Sequence, residues 1–283
     1  IYPSDKIKSP VHLSIGQEAV SVGVCMALQA RDAVFGTYRS HALYLAKGGD
    51  LKGFFAELYG KVTGCTKGKG GSMHLIDTAC GMMGSSAIVA STIPHAVGYA
   101  YALKYRKSKS VAVSFFGDGA VDEGVFHESV NFAALKKLPV IFICENNLYA
   151  IHSHYLTRHA KDGICQRIRT YGIKAERIGD NDTESIHRRV AQAVKAIRRG
   201  GSGPYFFECM TYRWRAHVGP GEDFALGYRD KAECAKWSKR DDLERLGRKI
   251  GLSRRRRIEQ QVEAQIKEAI RFAERSPFPR KPV

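Results

Sequence analysis

One stretch restricts the possible folds more than any other: residues 110–149, SVAVSFFGDGAVDEGVFHESVNFAALKKLPVIFICENNLY. Its first part, VAVSFF, is an apolar run of β-branched and aromatic residues that suits a buried strand. Gly117-Asp118-Gly119 makes a tight turn, after which Val125, Phe126, Val130 and Ala133 fall on one face of a helix. Pro139 marks the helix's end, VIFIC reads as a second buried strand, and Glu145-Asn146-Asn147 stops it. Strand, helix and strand in succession form a right-handed crossover whose two strands run parallel.

That geometry brings two oxygen donors together. A helix of about fourteen residues carries the chain back by about 21 Å, roughly one strand length. Asp118 and Asn147 are therefore expected at the carboxyl ends of their strands, where open α/β sheets bind ligands. On neighbouring strands about 4.8 Å apart, a carboxylate and an amide oxygen can share one hard cation. Magnesium prefers such oxygens and completes its octahedron with substrate phosphates. Gly117 and Gly119 leave room for a diphosphate, and the following helix is expected to offer it free N–H groups. Taken singly, GDG is a good turn and NN a good strand exit. A Gly-rich turn alone would also suit a different nucleotide-binding domain. Their pairing across one crossover favours a magnesium–diphosphate clamp.

GDG followed one crossover later by NN is similar to the diphosphate-binding motif of thiamine diphosphate enzymes. The text around it, GDGAVDEGVFHESVNFAALKKLPVIFICENN, resembles the alpha subunit of two-chain 2-oxo acid dehydrogenases of the pyruvate, branched-chain and acetoin types. The likeness runs from HLSIGQEA to the GYR near residue 229. It implies that thiamine diphosphate and magnesium are the cofactors. Asp118, Asn147 and the backbone carbonyl of Tyr149 would hold the metal, with Gly119 and Ala120 beside the coenzyme. Tyr38 and Arg39 of TYRSHA match the pair that grips the diphosphate. Ala87 and Val89 fall where the family lays its backbone along the thiamine rings, although pyruvate enzymes have Gly at the first position. His12, before GQEA, and His217, in AHVGPGED, match family active-site histidines. Both are candidates for proton handling or substrate orientation, since His titrates near neutral pH. Val218 stands where mitochondrial pyruvate enzymes carry a regulatory serine, so that modification is excluded here.

The same resemblance implies a reaction and partners. A 2-oxo acid would be decarboxylated and its acyl or aldehyde unit passed to an acceptor such as a lipoyl group. Family alpha subunits lack the glutamate that activates the aminopyrimidine; a beta subunit supplies it. An α2β2 assembly, with a lipoyl acyltransferase as a further partner, is therefore expected. Two rival readings remain open: a two-chain carboligase or transketolase-like transferase with the same cofactor residues, and a basic binding module with a vestigial cofactor site.

The remaining sequence fits an α/β fold, a doubly wound parallel sheet with helices on both faces, followed by a helical tail. Further strands are expected at 32–37, 173–178 and 204–212. Helices are expected at 17–28, capped by Ser14, and from Asp182 or Thr183 to about residue 199. A loop entering a small-residue helix is read at 84–103, and a functional loop at 213–229. The segment GCTKGKGGS fails the spacing of a nucleotide P-loop, and Cys65, His74 and Cys80 lack a fourth ligand for zinc. The domain reading is 1–235 for the cofactor domain and 236–283 for a basic extension. There Ile258, Val262, Ile266 and Ile270 share one helical face that should pack on the domain or a partner.

The formal charge of +17 invites nucleic acid, anionic membrane or an acidic partner. The basic run from Arg245 to Arg257 has no interleaved aromatic residue, so base stacking is unsupported and no nucleic acid is expected. No apolar run approaches a membrane span. Seven scattered cysteines without CxxC pairing suit reduced thiols, so a cytoplasmic location is expected. A start at Ile1 leaves an organelle-directed leader open.

Overall fold

The computed structural model describes residues 2–7, 9–200 and 203–280. Its strands are β1 Ala33–Thr37, β2 Met82–Ser86, β3 Ala112–Gly117, β4 Val140–Asn146, β5 Tyr149–Ala150, β6 Ser153–His154, β7 Lys174–Ile178 and β8 Tyr205–Met210. The helices up to the second half of the sheet are α1 Glu18–Met26, α2 His41–Ala46, α3 Leu51–Leu58, α4 Thr92–Tyr105 and α5 Gly124–Leu135. They are followed by α6 Tyr155–Arg158, α7 Ile164–Thr170, α8 Thr183–Arg198, α9 Lys231–Ser238, α10 Asp242–Ile250 and α11 Leu252–Arg275.

Six strands form one parallel sheet in the order β2-β1-β3-β4-β8-β7, while β5 and β6 make a small antiparallel hairpin. Alternation along β3 explains why the sheet is covered twice. Val111, Val113 and Phe115 enter one core with residues of α1, α3 and α8. Ala112 and Phe116 enter the other with residues of α4, α5 and α7. A strand buried on both faces must be apolar throughout, which is why VIFIC shows no polar alternation. The doubly wound parallel architecture is as expected.

The structure corrects several local expectations. Residues 82–86, MMGSS, form an edge strand whose last three residues fall where a loop is expected. These residues have weak strand propensity, and parallel pairing with β1 supplies the order. Ser14 does not cap α1. Gln17 occupies the cap position, and the Ser14 hydroxyl instead donates to the Arg39 carbonyl at 3.3 Å. The helix after GDG does not begin at the turn: a 3-10 segment, Asp118–Asp122, precedes α5. The N-terminus of α5 is thus displaced from Asp118, and Gly119 and Ala120 of the 3-10 turn border the ligand end of the sheet. A side chain at Gly119 would meet the Ala150 Cβ at 2.8 Å, so this turn packs directly on β5.

The rejected P-loop segment has its own physical account. Glu57, fully buried in α3, accepts backbone hydrogen bonds from Thr66, Gly68, Gly70 and Gly71 at 2.8–2.9 Å. The glycine-rich loop therefore wraps an anion, but an internal carboxylate takes the place of a phosphate. The tail's apolar face packs on the domain only in part. α11 packs on α3 through Ala269 and Ala273, yet Ile258, Val262 and Ile266 line an open groove of about 640 Å³ against α10. Of the expected apolar face, Ile270 is the member that joins the core.

Burial raises the Glu57 pKa, but the hydrogen bonds from Thr66, Gly68 and Gly71 outweigh it and hold the carboxyl below its ordinary 4.5. A depressed carboxylate stabilises the fold fully above its unfolded pKa and loses that contribution as pH falls through the folded value. Glu57→Gln is expected to cost about 3 kcal/mol at pH 7 and to weaken the acid-side decline in stability. Urea denaturation at pH 7 and at pH 4 measures both effects.

Candidate active site

The site follows from strand register. β3 pairs with β4 from Ala112 opposite Val140 to Gly117 opposite Glu145. Asp118 and Asn147 consequently leave adjacent strands at the same, carboxyl, end. Both line a cavity of about 290 Å³ together with Tyr38, Val89 and Tyr149. Arg39, Gly119, Ala120 and His217 complete the expected residues on its wall. Two expected residues stand off it. Ala87 follows the end of β2, and the turn beyond it, with Ala90 at φ 64°, presents Val89 and Ala90 instead. His12 lies behind the wall, its ring centroid 4.4 Å from Tyr38 and 4.9 Å from His217.

Arg39 joins the loops that close this end of the sheet. Its guanidinium donates to the Leu13 carbonyl at 2.7 Å and to the His217 carbonyl at 3.1 Å. A third contact, 3.3 Å, reaches His217 Nδ1. Arginine has no acceptor, so Nδ1 must accept and the His217 proton sits on Nε2. The 213–229 loop carrying His217 is centred on buried Asp223. This carboxylate accepts from Arg213 at 2.9 Å, Arg229 at 2.6 Å and the His217 amide at 3.2 Å. Burial opposes its charge, but Tyr228, Arg213 and Arg229 prevail and lower its pKa to about 2.

The electrostatics revise the expectation for both histidines. Burial, then the Arg39 charge, lowers His217 to about 3. The same causes in the same order lower His12 to about 4. Both imidazoles are neutral at pH 7. They serve as neutral donors or acceptors and do not titrate near neutrality. Burial raises Asp118 to about 6 against the opposing pull of Arg158 in α6, which ion-pairs with both Asp118 and Asp122.

The donor set suits a hard cation. Asn147 points its amide nitrogen at Gln17 Oε1, 3.0 Å away, which leaves Oδ1 as the oxygen accepting from Tyr149 N. The Tyr149 hydroxyl is turned away onto Glu233 at 2.6 Å, so only its backbone can serve the cavity. Among the described residues no cluster of three His, Cys, Asp or Glu could hold a metal. A cation here would rest on one carboxylate and neutral oxygens, the pattern magnesium accepts when phosphates supply further ligands.

These features coincide with what the chain is similar to. The model of the dehydrogenase E1 component family matches residues 1–281. The chain belongs to this family. It is an alpha subunit of the 2-oxo acid dehydrogenase type, as the GDG and NN motifs implied. The alpha subunit of acetoin:2,6-dichlorophenolindophenol oxidoreductase from Bacillus subtilis is 39% identical, over 95% of this chain and 81% of that relative. The chloroplastic pyruvate dehydrogenase E1 component subunit alpha-3 of Arabidopsis thaliana is 38% identical, over 99% of this chain and 67% of its own length. The pyruvate dehydrogenase E1 component subunit alpha of Rickettsia bellii is 37% identical, over 99% and 86%.

Within this E1 alpha chain the sequence reading missed Gln17, Glu145, His152 and Arg158. Gln17 and Glu145 lay in view, inside the quoted motifs GQEA and ENN. His152 and Arg158 carried no signal; the β5–β6 hairpin and α6 fold them back over the site. The His152 ring lies 4.5 Å from Tyr228 and 6.5 Å from His217.

Glu145 yields a direct test. Burial raises its carboxyl to about 8, with Arg39 pulling the other way, so it is protonated at pH 7. A raised carboxyl favours the folded state fully below the unfolded pKa, and that advantage is lost as pH rises towards the folded value. Stability of the cofactor-free chain should therefore fall between pH 5 and pH 8, within the window from 4.5 to about 8. In Glu145→Gln that fall should flatten, as read by urea denaturation at the two pH values. Parallel pH dependence in parent and variant would show Glu145 ionised in both states.

Proposed function

We propose that this cavity holds the diphosphate of thiamine diphosphate through a magnesium ion, and that the chain decarboxylates a 2-oxo acid together with a beta chain in an α2β2 assembly. The carrying observation is that Asp118, Asn147 and the Tyr149 backbone meet on one cavity at the carboxyl ends of two directly paired strands. When bound, the coenzyme supplies the nucleophilic carbon and the electron sink for decarboxylation. A lipoyl group on an acyltransferase is the proposed acceptor of the acyl unit.

The chain's own residues bind, orient and exclude water. Asp118 supplies the single carboxylate for the metal, and Arg158 opposes the burial that would otherwise protonate it. Val89 and Ala90 give the cavity an apolar wall beside the thiamine rings. Arg39 locks the His12 loop to the His217 loop, and its own pairing fixes His217 as an Nε2–H donor. That proton can hydrogen-bond a substrate carboxylate or a phosphate oxygen without bringing positive charge. His12 buttresses Tyr38 and His217 from behind. The open groove between α10 and α11 supports a subunit contact, because a soluble chain rarely leaves so much apolar surface uncovered.

Asp118→Asn keeps the side-chain shape and removes its charge. It should weaken magnesium-dependent thiamine diphosphate binding by at least about 100-fold, equivalent to about 2.7 kcal/mol. Calorimetric titration of the assembled heteromer, with and without magnesium, measures this. Unchanged affinity would remove Asp118 from the metal site.

A further inference from the structure

The coenzyme cavity occupies the carboxyl end of the sheet. At the opposite end the connections into β3, β4 and β8 meet around a second concavity of about 740 Å³. Its rim carries Lys104, Lys107, Lys109, Lys137, Arg198 and Arg199. Helices α4, α5 and α8 all end here, so some positive charge is expected at their carbonyl ends.

Magnitude separates helix capping from a binding role. Each helix C-terminus is worth about half a negative charge, or roughly one and a half for three. Segments 104–109, 136–137 and 198–199 carry eight basic side chains and no acidic one. Asp32, buried below, neutralises Arg198. Lys104 donates to the Lys136 carbonyl at 2.5 Å, where the capping account holds. Lys107, Lys109, Lys137 and Arg199 form no ion pair with any described residue. About five positive charges remain after the helix ends are satisfied, and their mutual repulsion opposes folding. The basic run near the C-terminus differs: Arg245, Lys249 and Arg255 are matched by Glu184, Asp242, Glu244 and Glu259.

We propose that this cleft is a docking surface for an acidic, Asp- and Glu-rich segment of a partner protein. Among the described residues no aromatic side chain lines it, which leaves nucleic-acid bases without a stacking platform there. The backbone N–H groups at these helix ends are already spent: those of Lys107, Ser108, Lys137, Leu138 and Gly200 donate to carbonyls of their own helices, which leaves them unable to cradle a compact phosphate. Ammonium groups on long flexible stems reach beyond those carbonyls and accept carboxylates at irregular spacing. A strand of six residues spans about 20 Å, so a partner docked here leaves the coenzyme cavity uncovered.

A fluorescently labelled peptide of alternating Asp and Glu, titrated into the full-length chain by anisotropy at low and high salt, tests this. The parent should bind it in a salt-sensitive manner. The triple variant Lys107→Glu, Lys109→Glu, Lys137→Glu should bind at least about tenfold more weakly, beyond what rim charges at a weak site would give. The charge-matched control Arg254→Glu, Arg256→Glu, Arg257→Glu should bind as the parent does. The neutralising set Lys107→Gln, Lys109→Gln, Lys137→Gln should give an intermediate loss, with circular dichroism confirming the fold in each case. The proposal is overturned if the parent does not bind or if both reversed variants lose equally. Tighter binding of a single-stranded oligonucleotide or of tripolyphosphate than of the peptide would also overturn it.

Discussion

The hydrogen-bonded register between β3 and β4 is the constraint on which the rest depends. Because Gly117 lies opposite Glu145, the residues that follow each strand emerge side by side. A slip of one residue would exchange the two faces of β4, sending Ile141 and Ile143 into the core that now receives Phe142 and Cys144. Two independent cores thus enforce one register, and that register sets the separation of the candidate metal oxygens. The chemistry at the end of the sheet is held by packing in its middle.

Around that fixed point the chain makes repeated use of buried charge with internal partners. Glu57 organises the glycine-rich loop, Asp223 the 213–229 loop, Asp32 the amino end of the sheet, and Arg39 the junction of the two histidine loops. Each is almost fully buried, and each is met by backbone or side-chain partners. Breaking such a pair leaves an uncompensated charge in a dry site, so these loops are tied more firmly than their irregular shape suggests. Glu145 differs: it is buried at the cavity wall, its side chain has no hydrogen-bond partner among the described residues, and it stays neutral at pH 7. A neutral acid and two neutral imidazoles leave Arg39 and Arg158 as the positive charges near Asp118, with Asp122 paired to Arg158.

The parts legible in the sequence share one property: they depend on local periodicity or on a motif of contiguous residues. The apolar runs at β3 and β4, the turn at Gly117, the α8 cap at Asp182 and the GDG and NN motifs all belong to this class. Where the reading departed, long-range contacts decided. β2 is ordered by β1, Ser14 is drawn to Arg39, and the 3-10 turn after Asp118 is shaped by Ala150 packing against Gly119. Arg158 and His152 reach the site only through the hairpin and short helix that fold back over it.

The sequence alone determined the crossover unit, the order of the strands' chemistry and the family, because strand burial and a diphosphate turn each leave a short local pattern. Tertiary structure decided the protonation of His12, His217 and Glu145, and the gathering of eight basic side chains at the far end of the sheet, where Asp32 pairs with Arg198 alone among them. Desolvation and charge pairing depend on what surrounds a group in space, and those neighbours can be distant along the chain, as Arg39 and His217 are at 178 positions apart.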